Sequence, residues 1–341
     1  MAGLAQTLCH DITNCGIVHD LLEEHLARGD FVVPMLPEVA VKVVRTGTRD
    51  SINAQRLSDI IASDPTLTMH VLRIAASAAN RAATPIASLP HAVAWLGFDE
   101  VANIAFTLAL QGKMLDVPGQ QRKARRLWRH SLASALWSRQ LALMVARETG
   151  LSYLCGLVHN IGKSVTLGAA HELARQTGAT LSGEDYERLV GTFHREVTAR
   201  VVKTWHLPPP ILMVVTRWEA EKAGTVHTGA VRTGETHSGD VHTGDVRTGD
   251  VHTGTVHTGT VRTGDAHSDA APVGDVQVEC DIVNLAHRLA DCTLLEPTHL
   301  SRELLVREPA YRSLGLAPAD GAPLFDSAAD ISAELDRYLA P

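Results

Sequence analysis

The sequence predicts an all-α protein on three observations. Apolar residues recur at helical spacing over most of the chain, helix-start signals stand directly before those runs, and strand-like alternation is scarce. Ser51 can cap a helix carrying Leu57, Ile60 and Ile61. Asp64-Pro65 reads as an N-cap followed by proline at the first helical position, where a missing N–H costs nothing. The run behind it, Leu67 to Ala79, sets Leu67, Val71, Ile74 and Ala78 on one face. Ser88 opens a further helix through Val93 and Leu96, and after a break at Gly97 the pattern continues through Val101, Ile104 and Leu108. Leu127, Leu132, Leu136 and Leu141 predict a helix over Leu127 to Val145. Leu207-Pro208-Pro209-Pro210 separates two later helices, because proline lacks the ladder N–H and clashes with the preceding turn.

The 341 residues include 45% hydrophobic types, enough to build a sizeable core. With 31 Lys+Arg against 38 Asp+Glu the net charge is −7, which excludes a chain built mainly to coat nucleic acid or an anionic membrane and leaves room for a local basic patch. No uncharged apolar run of about 18 residues occurs, and Met1 to Asp20 carries no basic stretch before an apolar one, so neither a membrane span nor an export signal is expected. Cys9, Cys15, Cys155, Cys280 and Cys292 contain no Cys-x-x-Cys pair, so a disulfide framework and a zinc knuckle are not expected and a reducing cytoplasm is.

From Val226 to Ala270 a five-residue unit recurs nine times, from VHTGA to AHSDA. Glycine in nearly every unit, abundant Thr and Asp, and valine as the main apolar side chain cannot offset the entropy of ordering, so the segment is expected to be a disordered insert. Its histidines (His227, His237, His242, His252, His257 and His267) could collect stray metal, but no carboxylate stands at a fixed offset from them. Deleting residues 224–272 is expected to leave the melting temperature nearly unchanged in a thermal scan; a fall of many degrees would mean that the insert packs.

Two blocks carry a family resemblance. The first is Phe31-Val-Val-Pro-Met-Leu-Pro-Glu-Val-Ala, followed by Leu57-Ser-Asp-Ile-Ile-Ala-Ser-Asp-Pro-Thr-Leu, Val71-Leu-Arg-Ile-Ala-Ala-Ser-Ala, Pro85-Ile-Ala-Ser-Leu and Ala92-Val-Ala-Trp-Leu-Gly. The second is Leu127-Trp-Arg-His130-Ser, then Cys155-Gly-Leu-Val-His159-Asn160-Ile-Gly-Lys163, then Phe193-His194-Arg-Glu-Val with Trp205-His-Leu-Pro. In order and spacing, over about residues 20–220, these resemble the HDOD domain family of bacterial signalling proteins, a degenerate relative of the HD phosphohydrolases. Asp281 to Cys292 resembles the closing helix, displaced by the repeats. The resemblance implies an N-terminal helical subdomain (20–118) packed on a degenerate HD-like subdomain (119–223), preceded by a tail (1–19) and followed by the insert (224–275) and by closing helices with a C-terminal tail (276–341).

In an active HD enzyme a His, a consecutive His-Asp pair and a later Asp converge from separate helices on one or two divalent metals, which activate water for attack on phosphorus. The resemblance places His130 and His159 at the histidine positions, but Asn160 stands where the Asp belongs, and Asn284-Leu-Ala-His287 occupies the stretch of the later Asp, so His287 can stand there. A neutral amide offers one weak carbonyl ligand and no charge to offset a cation. The expectation is therefore no catalytic residue, no metal and no cofactor, with His130, His159, Asn160, Lys163 and His194 as a degenerate remnant. In the plainer reading His130 is a hydrogen-bonded groove residue, His159 and Asn160 form a polar network, Lys163 is an exposed helix-end lysine and His194 caps or packs.

One basic run stands out, Gln121 to Arg129, in which Arg122, Arg126 and Arg129 share a helix face and could meet phosphates, with Trp128 available to stack on a base. No Walker pattern, Gly-x-Gly-x-x-Gly or Gly-x-Ser-x-Gly accompanies it. The expected function is a non-catalytic regulator of bacterial signal transduction, cytoplasmic, without an attached receiver or cyclase domain. It would act through contact with signalling proteins still to be identified and take input from a partner or a small ligand in the HD-like cleft; membranes are not expected as partners. Two alternatives stand beside it: a residual phosphohydrolase with one ion on His130, His159 and His194, and a nucleic-acid-binding regulator using Arg122 to Arg129, nucleic acid being the less expected partner.

Overall fold

The computed structural model describes residues 2–36, 40, 54–78, 86, 88–222, 273–294 and 302–339. Among these there is no strand, and the fold is all-α. In chain order the helices are α1 (Ala2–Arg28), α2 (Ala54–Ala62), α3 (Pro65–Ala78), α4 (Leu89–Leu96), α5 (Phe98–Leu115), α6 (Gln121–Met144), α7 (Thr149–Val158), α8 (Ile161–Thr177), α9 (Gly183–Thr204), α10 (Pro209–Lys222), α11 (Val273–Leu294), α12 (Arg302–Arg307), α13 (Pro309–Ser313) and α14 (Gly321–Leu339). The pentapeptide repeat and Ser51 lie outside the described residues.

Short-range chemistry sets the helix starts. The Asp64 carboxylate accepts from the Thr66 and Leu67 N–H groups at 2.9 and 3.0 Å and so caps α3. Ser88 accepts from His91 N at 3.3 Å ahead of α4, whose second residue is Pro90. Gly97 sits at φ 87°, a left-handed conformation that lets one chain leave α4 and enter α5 without a gap. Ser182 and Asp185 form a reciprocal capping box at the start of α9.

Helices α2 to α5 pack on one another, and α5 joins them to the second half through α6 and α7. In that half α6 packs along α7 and α11, and α8 along α9, so α6 is flanked by its sequence neighbour and by a helix beyond the repeat. Trp128, Leu132, Leu136 and Trp137 of α6 are buried in the common core with Tyr153, Ile282 and Leu285. A further clamp is Arg139 of α6, which donates to Glu100 of α5 at 2.7 and 2.8 Å and to Glu334 of α14 at 2.6 Å.

One expected boundary is corrected. Residues 2–19, expected as a tail, are the first part of α1, because Cys15, Val18, Leu22 and Leu26 form a buried stripe that packs on α8 and α9. Arg200 of α9 donates to Leu26 O at 2.7 Å and Trp205 to Pro34 O at 2.8 Å, so α1 and the segment behind it are fastened to the HD-like half, although the last turns of α1 were expected in the N-terminal subdomain. Within the stretch expected as closing helices and a C-terminal tail, Gly321–Leu339 is helical: α14 buries Leu324, Ile331, Leu335 and Tyr338 and lies against α6.

Candidate functional site

His159 and Asn160 occupy the tight junction between α7 and α8, where His159 N–H still donates to Cys155 O and Lys163 N–H to Asn160 O. Two glycines hold this junction between its neighbours. A Cβ on Gly156 would come within 2.4 Å of Ser138 Oγ and 2.8 Å of Ser134 O, so α7 meets α6 backbone to backbone. A Cβ on Gly162 would stand 2.0 Å from His194 O, where α8 meets α9. Gly162 N–H donates to Thr198 Oγ1 at 3.1 Å, and that hydroxyl donates to His194 O at 2.7 Å, which locks the start of α8 onto α9.

The His159 ring is fully buried. Its Nδ1 lies 2.7 Å from Gly156 O, and since a carbonyl can only accept, Nδ1 carries the hydrogen and Nε2 the lone pair. That lone pair faces the Asn160 amide nitrogen at 2.6 Å and His287 Nδ1 of α11 at 3.1 Å. His130 completes the group from α6, its ring centroid 4.6 Å from that of His287 and 5.8 Å from that of His159. One ring nitrogen of each of the three histidines lies within 4.8 Å of the others. The edge-on ring of Trp218 packs 4.8 Å from His159 and forms the dry side of the cluster. Burial, and then the positive charge that His287 and His130 can carry, push the His159 imidazole well below its ordinary pKa, so it is neutral at physiological pH.

Asp291, one turn after His287, places a carboxylate oxygen 3.0 Å from His130 Nε2 and the other 3.9 Å from His287 Nε2. Among the described residues, the cluster thus has one acid at its edge, on α11. Above it opens a cleft of about 910 Å³ whose wall carries Arg122, Lys123, Arg125, Arg126 and Arg129 of α6 and Lys163 of α8, against the acids Glu187 and Asp291.

The structure therefore brings His130, Asn160, Lys163, His194 and the three singled-out arginines to one cleft, with His159 buried directly beneath. His194 is buried to 9% exposure and lines the cleft, but the third ring of the cluster is His287, which corrects the ligand set of the single-ion alternative. Lys163 is half-buried in the cleft rather than an exposed helix end. Trp128, expected to be available for stacking, is 1% exposed, because it falls on the core face of α6, opposite the arginines. The residue that sequence reasoning passed over is Asp291; the signal was its i, i+4 spacing from His287.

The model of the HDOD domain family matches residues 33–220. An uncharacterized protein of Treponema pallidum (strain Nichols) is 22% identical over 191 residues; the match takes in 54% of this chain and 37% of that protein, so the chain spans well under half the length of this relative. Among solved structures, an HDOD domain protein of unknown function from Geobacter sulfurreducens superposes with a TM-score of 0.60 at 21% identity, over 96% of this chain and 99% of that one. A candidate metal-dependent phosphohydrolase from Shewanella amazonensis SB2B superposes with a TM-score of 0.61 at 19% identity, over 95% and 99%. At these identities the structural likeness speaks for the fold.

Proposed function

Since the chain belongs to the HDOD family, we propose that it is a non-catalytic regulator of bacterial signalling that works by contact with partner proteins and reads a small ligand in its basic cleft. The observation that carries the non-catalytic reading is Asn160. It is 4% exposed, its amide donates to the one lone pair of His159, and it holds the position at which an HD enzyme needs a charged, bridging carboxylate. Asp291 supplies no substitute bridge, because it approaches the cluster from α11 and is paired with His130. Six cations around one cleft favour an anionic ligand, and a phosphate group suits the guanidinium fork of Arg122, Arg126 and Arg129. Partner contact is supported by Met69 and Trp95, large apolar side chains left 69% and 51% exposed on α3 and α4 of the N-terminal half.

A specific observation favours one second reading: three imidazoles converge beneath a cationic cleft, as a residual single-ion phosphohydrolase would need. Purified protein supplied with Mg²⁺, Mn²⁺ or Zn²⁺ is expected to release nothing above the blank from nucleotides or from bis-p-nitrophenyl phosphate. Turnover that disappears in His159→Ala would replace the regulatory reading with the hydrolase. The nucleic-acid reading is left with phosphate contacts only, since buried Trp128 cannot stack on a base.

A further inference from the structure

We propose that His130, His159 and His287 are the ligands of a single borderline transition-metal ion, Zn²⁺ or a close congener, in a site built from imidazole and separate in kind from the carboxylate-bridged centre of HD enzymes. The site goes beyond the regulatory reading and stands without it.

A carboxylate-bridged pair of hard ions does not fit these residues. Such a pair needs acids that share cations and offset their charge, and among the described residues the cluster offers a neutral amide at Asn160 and one acid, Asp291, at its edge. A single ion that prefers nitrogen donors does fit. Ligand atoms about 2.1 Å from a tetrahedral ion stand roughly 3.4 Å apart, and His159 Nε2 and His287 Nδ1 are already 3.1 Å apart. The third ring nitrogen lies within 4.8 Å of both, so closure requires His130, whose helix is packed along both α7 and α11, to move in and the Asn160 amide to turn off the His159 lone pair.

The surroundings prepare the rings as ligands. The Gly156 carbonyl fixes the tautomer of His159 with its lone pair turned inward, as backbone acceptors do behind metal-bound imidazoles. Asp291 lies against His130 and His287 and can orient both rings while supplying a negative charge beside the ion. Asn160 Oδ1 is buried and has no hydrogen-bond partner among the described residues. A half-turn of the amide, whose two ends are interchangeable in shape, would aim that oxygen at the cluster and withdraw the N–H that now occupies the His159 lone pair. The fourth position of a tetrahedral ion would open toward the cleft, where water or an anionic ligand can take it.

The experiment uses the full chain, stripped of metal and titrated with Co²⁺ in the presence of a competing chelator of micromolar affinity, comparing wild type with His130→Ala and with His287→Gln. Two variants are used so that one failing to fold leaves the other informative, and circular dichroism checks each. The repeat histidines are present in all three proteins and cancel in the difference. The expected result is one more equivalent bound by wild type than by either folded variant, with the intense visible absorption of four-coordinate Co²⁺ lost in both. Equal stoichiometry in the three proteins, or no chelator-resistant ion in wild type, would overturn the site. A bound ion without turnover leaves the regulatory reading intact, and turnover removes that reading without touching the site.

Discussion

Gly162→Ala is expected to destabilise the protein by at least ~3 kcal/mol, at the upper end of ordinary overpacking, and to lower the melting temperature by roughly 6–12 °C. The added methyl carbon would lie 2.0 Å from His194 O, 2.3 Å from Thr198 Oγ1 and 2.6 Å from Thr198 N. Two of these are backbone atoms of α9, so no side-chain rotation relieves the contact and the helices must separate. Separation also breaks the Gly162 N–H bond to Thr198 and moves the His159–Asn160 junction, which ends two residues earlier. Gly191→Ala on the same α9 is the control. Nothing lies within 4 Å of the methyl there and the position is exposed, so the change should be neutral or stabilise by about 0.5–1 kcal/mol through helix propensity. Calorimetric scans of the two variants decide the matter. A Gly162→Ala protein that melts with wild type would show that α8 and α9 are not in backbone contact.

Arg139→Met is expected to cost about 3–5 kcal/mol, the range for removing one partner of a buried ion pair. Burial works against the guanidinium, but Glu100 and then Glu334 more than offset it and hold Arg139 firmly charged. Side-chain exposures of 19%, 24% and 15% for Arg139, Glu100 and Glu334 mean that water compensates little when the arginine goes. The methionine fills the stem volume, so the loss isolates the stranded carboxylates rather than a cavity. The triple variant Arg139→Met, Glu100→Gln, Glu334→Gln should recover most of the stability, as replacing all the charges of a buried group often does. Denaturant melts of the single and triple variants test this, and a single variant within 1 kcal/mol of wild type would remove the clamp from the account of how α14 is held. A double-mutant cycle on Arg139 and Glu334 separates the α14 contact from the α5 contact.

The helical class and the helix starts behind Asp64, Ser88 and Gly97 were legible in the chain alone, as was the amide at Asn160 in the motif quoted for the candidate site. These rest on interactions within a few residues: Asp64 and Ser88 cap the helices they precede, Gly97 supplies the one backbone angle that joins α4 to α5, and the apolar spacing through Leu132 and Leu136 marks the buried side of α6. The loss of the acid at Asn160 is likewise a property of one position in a motif. Tertiary structure decided what depends on pairing distant segments. That residues 2–28 and 321–339 are packed helices follows from partners on α8, α9 and α6, which no local window contains. His130, His159 and His287 meet because backbone contacts at Gly156 and the packing of α11 along α6 bring three helices together, across more than a hundred residues of chain in the case of His287. The same packing put Trp128 into the core and turned Arg122, Arg126 and Arg129 toward the cleft. Periodicity says that a helix has two faces; which neighbour takes each face is settled only when the core closes, and there the largest apolar area wins.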